Sequence, residues 1–377
     1  MSLLPAATEA AAESGCLGSL VGISPECCAV VRGSAAWDAL VNFPRVVAEP
    51  KHSGEAVGGA VSASELDATH AAERGASAEI GLGPWGPRGG AAGAGAAADA
   101  AEATTADRVA VMWQLSAYCV HADALRELRP DAVVTNVQGG APAVPAMTGA
   151  LRRWTRNPRL NLVHLDPQTL ADCAADVVKV ATACHAPVRG AARAAELTAA
   201  LARVRAEEEG PQSARRIAVC QWTDPVYTAS AWTAELVGVA APWAISVPRG
   251  PAYGPWDPAQ LRGQRPDLVV VAVCGFGVPE SVREAVAMLN KAFPAGTPAP
   301  RVVVADARRV FTVAGPASVA QAASLLASMA RGKVPSTPDV SAVALERSDL
   351  TGTWASSAGS SVQALAQGVS GKVLEHV

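Results

Sequence analysis

The stretch QWTDP, residues 221 to 225, puts an indole, a carboxylate and a turn-forming proline directly after the strand-like run RRIAVC. A flat indole offers wide apolar contact together with one polar edge, which suits binding to a large planar molecule. If the strand ends at Cys220, Trp222 faces a ligand and not the core. The alternative is that Trp222 covers the core beneath a loop.

Cys274 opens the run CGFG (274–277), which also follows a predicted strand. A cysteine nucleophile needs a nearby base, and the sequence signals none, because His164 belongs to a different predicted lobe. An apolar wall around Phe276 is the simpler interpretation. The hypothesis of an enzyme that uses Cys274 stays open, and alkylating that thiol without loss of function would exclude it.

Other patterns typical of catalytic or cofactor sites are missing from the sequence. There is no GxGxxG, no P-loop and no GxSxG elbow. The six His lack metal-ligand spacing. Glu26, Cys27 and Cys28 are adjacent, which is poor geometry for holding one ion. No metal site, no catalytic residue and no covalently bound cofactor are therefore predicted.

The composition argues against a nucleic-acid-binding protein and against a membrane-spanning protein. Half of the 377 residues are hydrophobic, and the formal net charge is −3. A nucleic-acid-binding protein would show a basic face, which is absent here. No apolar run reaches the roughly 18 residues that a membrane span needs. The N-terminus lacks signal-peptide features, so the expected compartment is the cytoplasm, or the periplasm if the N-terminus is incomplete.

Two segments repeat one design. DALRELRPDAVVTN (123–136) and AQLRGQRPDLVVVA (259–272) align without gaps, with Pro130 matching Pro266 and the Arg, Asp and Val positions around them also shared. Each predicts the end of a helix, a Pro-Asp break and a buried strand, because proline cannot continue a helix and a Val run suits a strand covered on both faces. The recurrence predicts two lobes of similar design.

Alternating strands and helices predict a parallel sheet in each lobe. The predicted fold class is α/β, with two Rossmann-like lobes joined by a long backbone helix. The predicted boundaries are 1–165 for the first lobe, 166–210 for the helical link, split at Pro187, and 211–334 for the second lobe. We also predict a low-complexity insertion at 81–106 and a disordered tail at 335–377. Within the first lobe, the sequence predicts a strand at 2–5, a helix at 7–15 and a helix at 62–75.

Ligands of open α/β sheets bind beyond the carboxyl ends of the strands. We therefore expect a small-molecule site in a cleft between the lobes, lined by residues that follow the strands. These candidates are Pro5, Ala6, residues 24–28, 138–142, 221–227 and 274–277, Gly315 and Pro316.

Read together, the motifs resemble a known family. SLLPAATEAAAESG, LVGISPEC, SASELDA, LRPDAVVT, LDPQTLAD, QWTDPVYTASAWTAELVGVA and PDLVVVAVCGF are similar to the cobalamin-binding members of the helical-backbone periplasmic substrate-binding proteins. The resemblance covers about residues 2–330. It implies that a corrinoid or a similar chelate is held without chemical change, and that a membrane permease is the partner if the protein is exported.

The resemblance also implies roles for individual residues. Trp222, Asp224, Pro225 and Trp232 match the second-lobe motif; Pro5, Ala6, Glu26, Cys27, Cys274, Gly275 and Phe276 match cleft motifs elsewhere. Glu9 and Glu235 are the implied surface carboxylates that dock to a permease.

The sequence departs from the family pattern at several places. Gln221 stands where the family has Glu, Ser230-Ala231 replaces Gly-His, Ala234 replaces Pro, and the late GPR reads Gly315-Pro316-Ala317. The Cys-rich segment after the PDAVVT strand is replaced by QGGAPAVPA. Two alternatives therefore remain: a siderophore or metal-chelate binding protein of the same fold, and a relative that has lost ligand binding and acts as an interaction scaffold.

Overall fold

The computed structural model describes residues 1–24, 26–27, 45–49, 103–116, 118–208, 214–247, 255–333, 342–347 and 354–356. These residues fall into two compact units that divide between Glu196 and Leu197. The predicted helix at 62–75, residues 81–102 of the predicted insertion, and Cys28 lie outside the described residues. None of the described helices combines the length and the apolarity needed to cross a membrane.

The first unit alternates short strands and helices. Its elements are α1 (Pro5–Glu13), β1 (Gly22–Ile23), β2 (Arg45–Val46), β3 (Ala48–Glu49), α2 (Thr105–Trp113), β4 (Cys119–Val120), α3 (Ala122–Leu128), β5 (Ala132–Thr135), α4 (Val144–Thr155), β6 (Asn161–His164) and α5 (Leu170–Ala183). β1 pairs with β2 and β5 pairs with β6, both in parallel, while β3 and β4 are antiparallel.

The first residues of the chain join the two parallel pairs. Ser2 forms parallel bridges to both Ile23 and Val134, and the Leu3 amide donates to the Val134 carbonyl at 2.9 Å. The strand predicted at 2–5 is thus shorter than expected, and the helix starts at Pro5 and not at residue 7. The reason is that proline is well suited to the first helical position, where no intrahelical N–H bond is needed.

Helix α2 is fastened at its start by a buried carboxylate. Asp107 accepts hydrogen bonds from the Thr104 amide and hydroxyl, both at 2.9 Å, and from Arg153 Nη2 of α4 at 2.7 Å. Burial opposes the charged form of Asp107, but the bonds from Arg153 and Thr104 outweigh it and hold the pKa of this carboxyl below its ordinary value. Since α2 begins at Thr105, the insertion predicted at 81–106 ends at least two residues earlier.

The repeat predicted from the two RPD segments is confirmed. α3 and β5 form the first copy, and α8 (Pro258–Gly263) and β10 (Leu268–Val271) form the second. Arg129 and Arg265, which precede the matching prolines, both take left-handed conformations with φ of 44° and 49°. A left-handed residue is a common way to end a helix, so both copies use the same stop before the same Pro-Asp break.

A long helix crosses the division between the units. α6 (Pro187–Glu207) has 21 residues, close to the roughly 19 expected from the sequence, and it follows α5 after a short break. Leu197 and Leu201 of its predicted apolar face are buried. Gly190 sits where α6 meets α5: a Cβ there would lie 2.4 Å from the Ala181 Cβ.

The second unit is built on one seven-stranded sheet. Besides α8 and β10, its elements are β7 (Arg216–Thr223), β8 (Val226–Thr228), α7 (Ala231–Ala240), β9 (Ile245–Val247), α9 (Val278–Ala292), β11 (Arg301–Ala305), α10 (Pro316–Ala330), β12 (Ala342–Arg347) and β13 (Trp354–Ser356). The strand order is β13-β12-β11-β10-β7-β8, with β9 also pairing with β7.

Two sequence predictions about this unit need correction. The sheet is not all parallel: β7, β9, β10 and β11 are parallel, but β8, β12 and β13 pair antiparallel. The segment 335–377 is not wholly a disordered tail, because β12 and β13 lie within it. Leu345 and Trp354 are buried against the core of the sheet, and this long-range packing is what orders two strands whose local sequence shows no clear pattern.

Candidate functional site

A half-buried aromatic pair lies at the carboxyl end of two neighbouring strands in the second unit. Trp222 is the last residue but one of β7, and Phe276 follows β10. Their ring centroids are 6.2 Å apart and the rings are tilted by 55°. Both side chains pack on the core of the sheet while part of each stays exposed. Trp222 therefore covers the core and also presents surface to solvent.

The expected end of β7 is wrong in a way that matters for this pair. β7 does not stop at Cys220 but continues to Thr223, and Asp224 and Pro225 form the turn to β8. The pairing of β7 with β8 is irregular between Cys220 and Trp222. An irregularity of this kind re-aims the side chains around it, so Trp222 is placed by a hairpin and not by a loose loop.

Two side-chain contacts hold this hairpin on α9. Thr223 Oγ1 donates to Glu284 Oε2 at 3.2 Å, and Lys291 Nζ donates to Asp224 Oδ2 at 2.9 Å. The Asp224–Lys291 pair is largely exposed, so its contribution to stability is small. These contacts give Asp224 a structural role in orienting the turn beside Trp222.

Trp222 carries an indole N–H without an acceptor in the described part of the chain, and Gly275 beside the aromatic pair leaves free space. Trp222 Nε1 is buried and finds no acceptor among the described residues. Buried indole N–H groups usually have a partner, and this one has none among the described residues. Gly275, two residues before Gly277 in the turn after β10, has a φ of 79°, and no described atom lies within 4 Å of the position its Cβ would take. Cys274, in the same turn, is exposed.

Gln221 was predicted both as a cleft residue at the end of β7 and as a departure from the family pattern. Its Nε2 donates to the Phe311 carbonyl at 2.6 Å and contacts Thr233 Oγ1 at 3.3 Å, and Thr233 Oγ1 also donates to that carbonyl at 3.2 Å. The amide thus ties β7 to α7 and to the loop after β11. A carboxylate accepts hydrogen bonds and cannot donate them, so an ionised Glu at position 221 could not make these bonds.

A cation that sequence reasoning missed lies beside Phe276. The Ala307 amide donates to the Phe276 carbonyl at 3.1 Å, and the neighbouring Arg308 donates to both carboxylate oxygens of Asp306, at 3.1 and 2.8 Å. These bonds raise the pKa of Arg308 above its ordinary value. Arg308 packs so tightly over Gly277 that any Cβ there would meet its guanidinium at 2.5 Å.

The first-unit candidates differ in burial. Pro5 and Ala6, at the start of α1, are half-buried. Cys27 is fully buried, its thiol 3.0 Å from Ser24 Oγ, and burial raises the pKa of this thiol. Glu26 is half-buried and burial raises the pKa of its carboxyl, while its Oε2 receives no hydrogen bond from any described residue. Of these four, Glu26 has the chemistry to meet a ligand.

Trp232, Glu9 and Glu235, which were also predicted as site residues, differ in their exposure to solvent. Trp232, in α7, is only 7% exposed and offers little surface to a ligand. Glu9 is 3% exposed, so its predicted surface position is wrong: it lies on the face of α1 that packs inward. Glu235 is exposed on α7. Within the described ranges, no group of three or more His, Cys, Asp or Glu is arranged to hold a metal ion.

Comparison with known proteins finds similarity in structure alone. No family model matches the sequence, and no curated protein matches it. Among solved structures, a periplasmic heme-binding protein from Pseudomonas aeruginosa aligns with a TM-score of 0.55 at 14% identity, covering 90% of this chain and 96% of the other. A possible iron-binding periplasmic solute-binding protein from Staphylococcus epidermidis aligns with a TM-score of 0.50 at 11% identity, covering 87% and 96%.

A periplasmic vitamin B12-binding protein from Vibrio cholerae aligns with a TM-score of 0.48 at 14% identity, covering 88% of this chain and 97% of the other. The likeness to the first two structures shows the fold: an α/β protein with parallel strands and a long helix, as in the class III periplasmic binding proteins with a helical backbone.

Proposed function

We propose that the protein binds a large, flat metal chelate without changing it chemically, and that the ligand is a corrinoid. The observation that carries this proposal is the half-buried pair of Trp222 and Phe276 at the carboxyl end of β7 and β10. Ligands of parallel α/β sheets bind at this end of the strands, and an aromatic surface with a polar edge suits a planar macrocycle.

The unused Trp222 N–H supports the choice of ligand. Corrinoids carry amide groups around a flat ring, and an amide carbonyl is an acceptor for an indole N–H. The open space beside Gly275 leaves room next to the aromatic pair. The expected location of the ligand in a cleft between the lobes stays a prediction.

An anionic chelate, such as a siderophore complex or heme, is the alternative, and Arg308 favours it. The guanidinium side chain is 44% exposed and lies beside the Phe276 backbone. Arginine recognises carboxylates with two parallel hydrogen bonds. A ligand carboxylate would compete with Asp306 for Arg308, which costs affinity and weakens this alternative.

The experiment is a titration of the purified protein, monitored by absorbance and Trp fluorescence, with cobinamide, cobalamin, hemin and a ferric siderophore in parallel. Saturation near one equivalent with cobinamide or cobalamin supports the corrinoid proposal. Saturation with hemin or the siderophore alone favours the anionic alternative. A flat trace with all four, from a folded protein, would refute ligand binding of this kind and leave the scaffold interpretation.

Variants of Trp222 locate the site. Trp222→Ala is expected to weaken binding by about tenfold or more, because an aromatic contact contributes about 0.5–1.5 kcal/mol beyond the area it buries. Trp222→Phe keeps a ring but removes the N–H, so an intermediate loss would isolate the donor. The matched control is Trp113→Ala, which removes an indole that is 42% exposed in the first unit. Equal losses in Trp113→Ala and Trp222→Ala would place the ligand elsewhere.

Glu235 is the proposed docking residue for a membrane permease, because it is exposed on α7 while Glu9 is not. Glu235→Arg should leave the ligand titration unchanged and abolish coupling to a permease in a reconstituted transport assay. Unchanged transport would refute this role.

A further inference from the structure

The turn that follows β5 in the first unit, residues 136–140, is held by two side-chain hydrogen bonds at the end of β6. The Val137 amide donates to His164 Nδ1 at 3.0 Å. Asn136 Nδ2 donates to the Leu165 carbonyl at 2.8 Å. The amide of Asn136 does not titrate, whereas an imidazole changes its charge near neutral pH. The bond between Val137 and His164 is therefore the one that acid can break.

This bond fixes the protonation state of His164. A backbone N–H donates, so Nδ1 must present its lone pair, and the ring is neutral with its proton on Nε2. Nε2 is buried and has no hydrogen-bond partner among the described residues. A protonated imidazole carries an N–H at both nitrogens. Its Nδ1–H would face the N–H of Val137, and the bond would be lost.

The surroundings of His164 favour the neutral ring. Burial is the largest influence and lowers the pKa of His164 below its ordinary value. The carboxylates of Asp166, after β6, and of Asp176, on α5, act in the opposite direction, while Lys179 of α5 adds to the lowering. Burial outweighs the two carboxylates, so the ring holds the Val137 amide at neutral pH.

The remaining charged side chains of the helices that pack on β6 have partners of their own. Helices α4 and α5 both pack on this strand. Asp172 closes the N-terminal cap of α5, Arg152 donates to the Leu160 carbonyl at 3.1 Å, and Arg153 pairs with Asp107. Neither β5 nor the turn contains a charged residue. The charge of His164 itself is therefore the variable that acid changes beside the turn.

We propose that His164 is an acid-sensitive latch, a side chain that holds the turn 136–140 while it is neutral and releases the turn when it is protonated. Gly139 and Gly140 in the turn have φ of 91° and 67°. Glycine enters and leaves this left-handed region at low cost, so the backbone can rearrange once the Val137 amide is free. The turn lies at the carboxyl end of β5, the end at which ligands of parallel sheets bind.

The direction of the pH effect follows from the two states of the chain. In the unfolded chain, His164 takes up a proton near the ordinary pKa of about 6.5. In the folded chain the pKa is lowered by burial, so the proton is taken up at lower pH. The neutral ring thus contributes stability above about pH 6.5, and this contribution is lost as the pH falls through the lowered pKa of the folded protein.

The test uses the full chain and two matched histidine variants. His164→Asn is the decisive variant, because its side-chain carbonyl can replace Nδ1 as the acceptor and does not titrate. His185→Asn is the control: His185 is exposed and has a φ of 58°, a left-handed conformation that Asn tolerates. Long-range 1H–15N NMR spectra of the histidine rings, with His164→Asn for assignment, should show the His164 proton on Nε2 at pH 7.5 and a midpoint of titration below about 6.5.

Hydrogen exchange followed by mass spectrometry then reports on the turn. At pH 7.5 the peptides that cover 136–140 should exchange alike in all three proteins. One pH unit below the His164 midpoint, the neutral fraction is about a tenth, so these peptides should exchange about tenfold faster in the wild type and in His185→Asn than in His164→Asn. If His164→Asn folds poorly, the wild type still decides: exchange of the turn relative to α4 should rise as the pH falls below about 6.5.

Three results would overturn the latch. They are a His164 proton on Nδ1 at pH 7.5, a ring that stays neutral until the protein unfolds, and turn exchange that does not change with pH relative to α4. Release of the turn should also weaken cobinamide binding in acid, a consequence that rests on the proposed function. A flat cobinamide titration at every pH would refute the proposed function, while the exchange data decide the latch separately.

Discussion

The tight approach of α6 to α5 at Gly190 yields a prediction whose size follows from the geometry. A Cβ at Gly190 would lie 2.4 Å from the Ala181 Cβ and 3.3 Å from the Val177 carbonyl oxygen. Non-bonded carbons are most stable at about 3.5–4.0 Å. Gly190→Ala therefore forces the two helices apart by roughly 1 Å, and overpacking of this kind typically costs about 1–3 kcal/mol.

Gly190→Ala also stabilises the helix itself, and this gain must be separated from the cost of overpacking. Alanine is favoured over glycine inside a helix by about 1 kcal/mol. Gly238, on the exposed face of α7, is the matched control, because no described atom lies within 4 Å of the position its Cβ would take. Gly238→Ala should stabilise the protein by up to about 1 kcal/mol, while Gly190→Ala should be neutral or destabilising by up to about 2 kcal/mol once gain and cost are summed.

The assay is urea unfolding followed by far-UV circular dichroism, comparing the free energies of unfolding of both variants with the wild type. The double variant Ala181→Gly/Gly190→Ala removes the methyl group that the new Cβ would strike, so it should recover most of the overpacking cost as a coupling energy between the two positions. If Gly190→Ala stabilises the protein as much as Gly238→Ala does, the close packing of α5 on α6 is refuted.

Three further predictions concern single side chains. Gln221→Glu should destabilise the protein by about 1–3 kcal/mol at pH 7, because it sets a carboxylate against the Phe311 carbonyl. This loss of stability should shrink in acid, where the protonated carboxyl can donate a hydrogen bond. Equal losses at pH 7 and pH 4 in urea unfolding would contradict this. Trp222→Ala should cost less stability than the roughly 3–5 kcal/mol of a fully buried Trp, since Trp222 is half-buried, and a larger loss in the same assay would make it core. The Asp107–Arg153 pair should stabilise the fold above the ordinary Asp pKa of about 3.9 and lose that contribution as pH falls through the lowered pKa of Asp107. The stability difference between wild type and Arg153→Gln should therefore shrink as the pH falls below the ordinary Asp pKa, and a pH-independent difference would exclude the ion pair as its source.

The order of helices, breaks and strands could be predicted from the sequence, because the residues that start and stop these elements act locally. The two RPD segments predicted helix, break and strand in both units, since proline stops a helix and a Val run forms a buried strand wherever they occur. Pro187 and the spacing of Leu197 and Leu201 predicted the long helix for the same reason.

The candidate site could be predicted only in outline. Trp222 and Phe276 were identified because each follows or ends a strand, yet the sequence could not tell that β7 runs on through Trp222 or that Arg308 lies beside Phe276. Those facts depend on pairing between β7 and β8 and on the loop after β11, which are remote in sequence. Glu9 was misplaced because its surface position was carried over from the family resemblance, and the Ala-rich sequence of α1 does not reveal which face packs inward.

By itself the sequence determined the alternation of strands and helices, the duplicated helix-break-strand unit and the long helix, because proline, glycine and β-branched residues act through their own backbone. Only the tertiary structure decided that Gln221 donates to the Phe311 carbonyl and that Leu345 and Trp354 order strands in the tail. Each of these depends on a partner far along the chain, and no local pattern encodes which distant atoms will come within hydrogen-bonding or van der Waals distance.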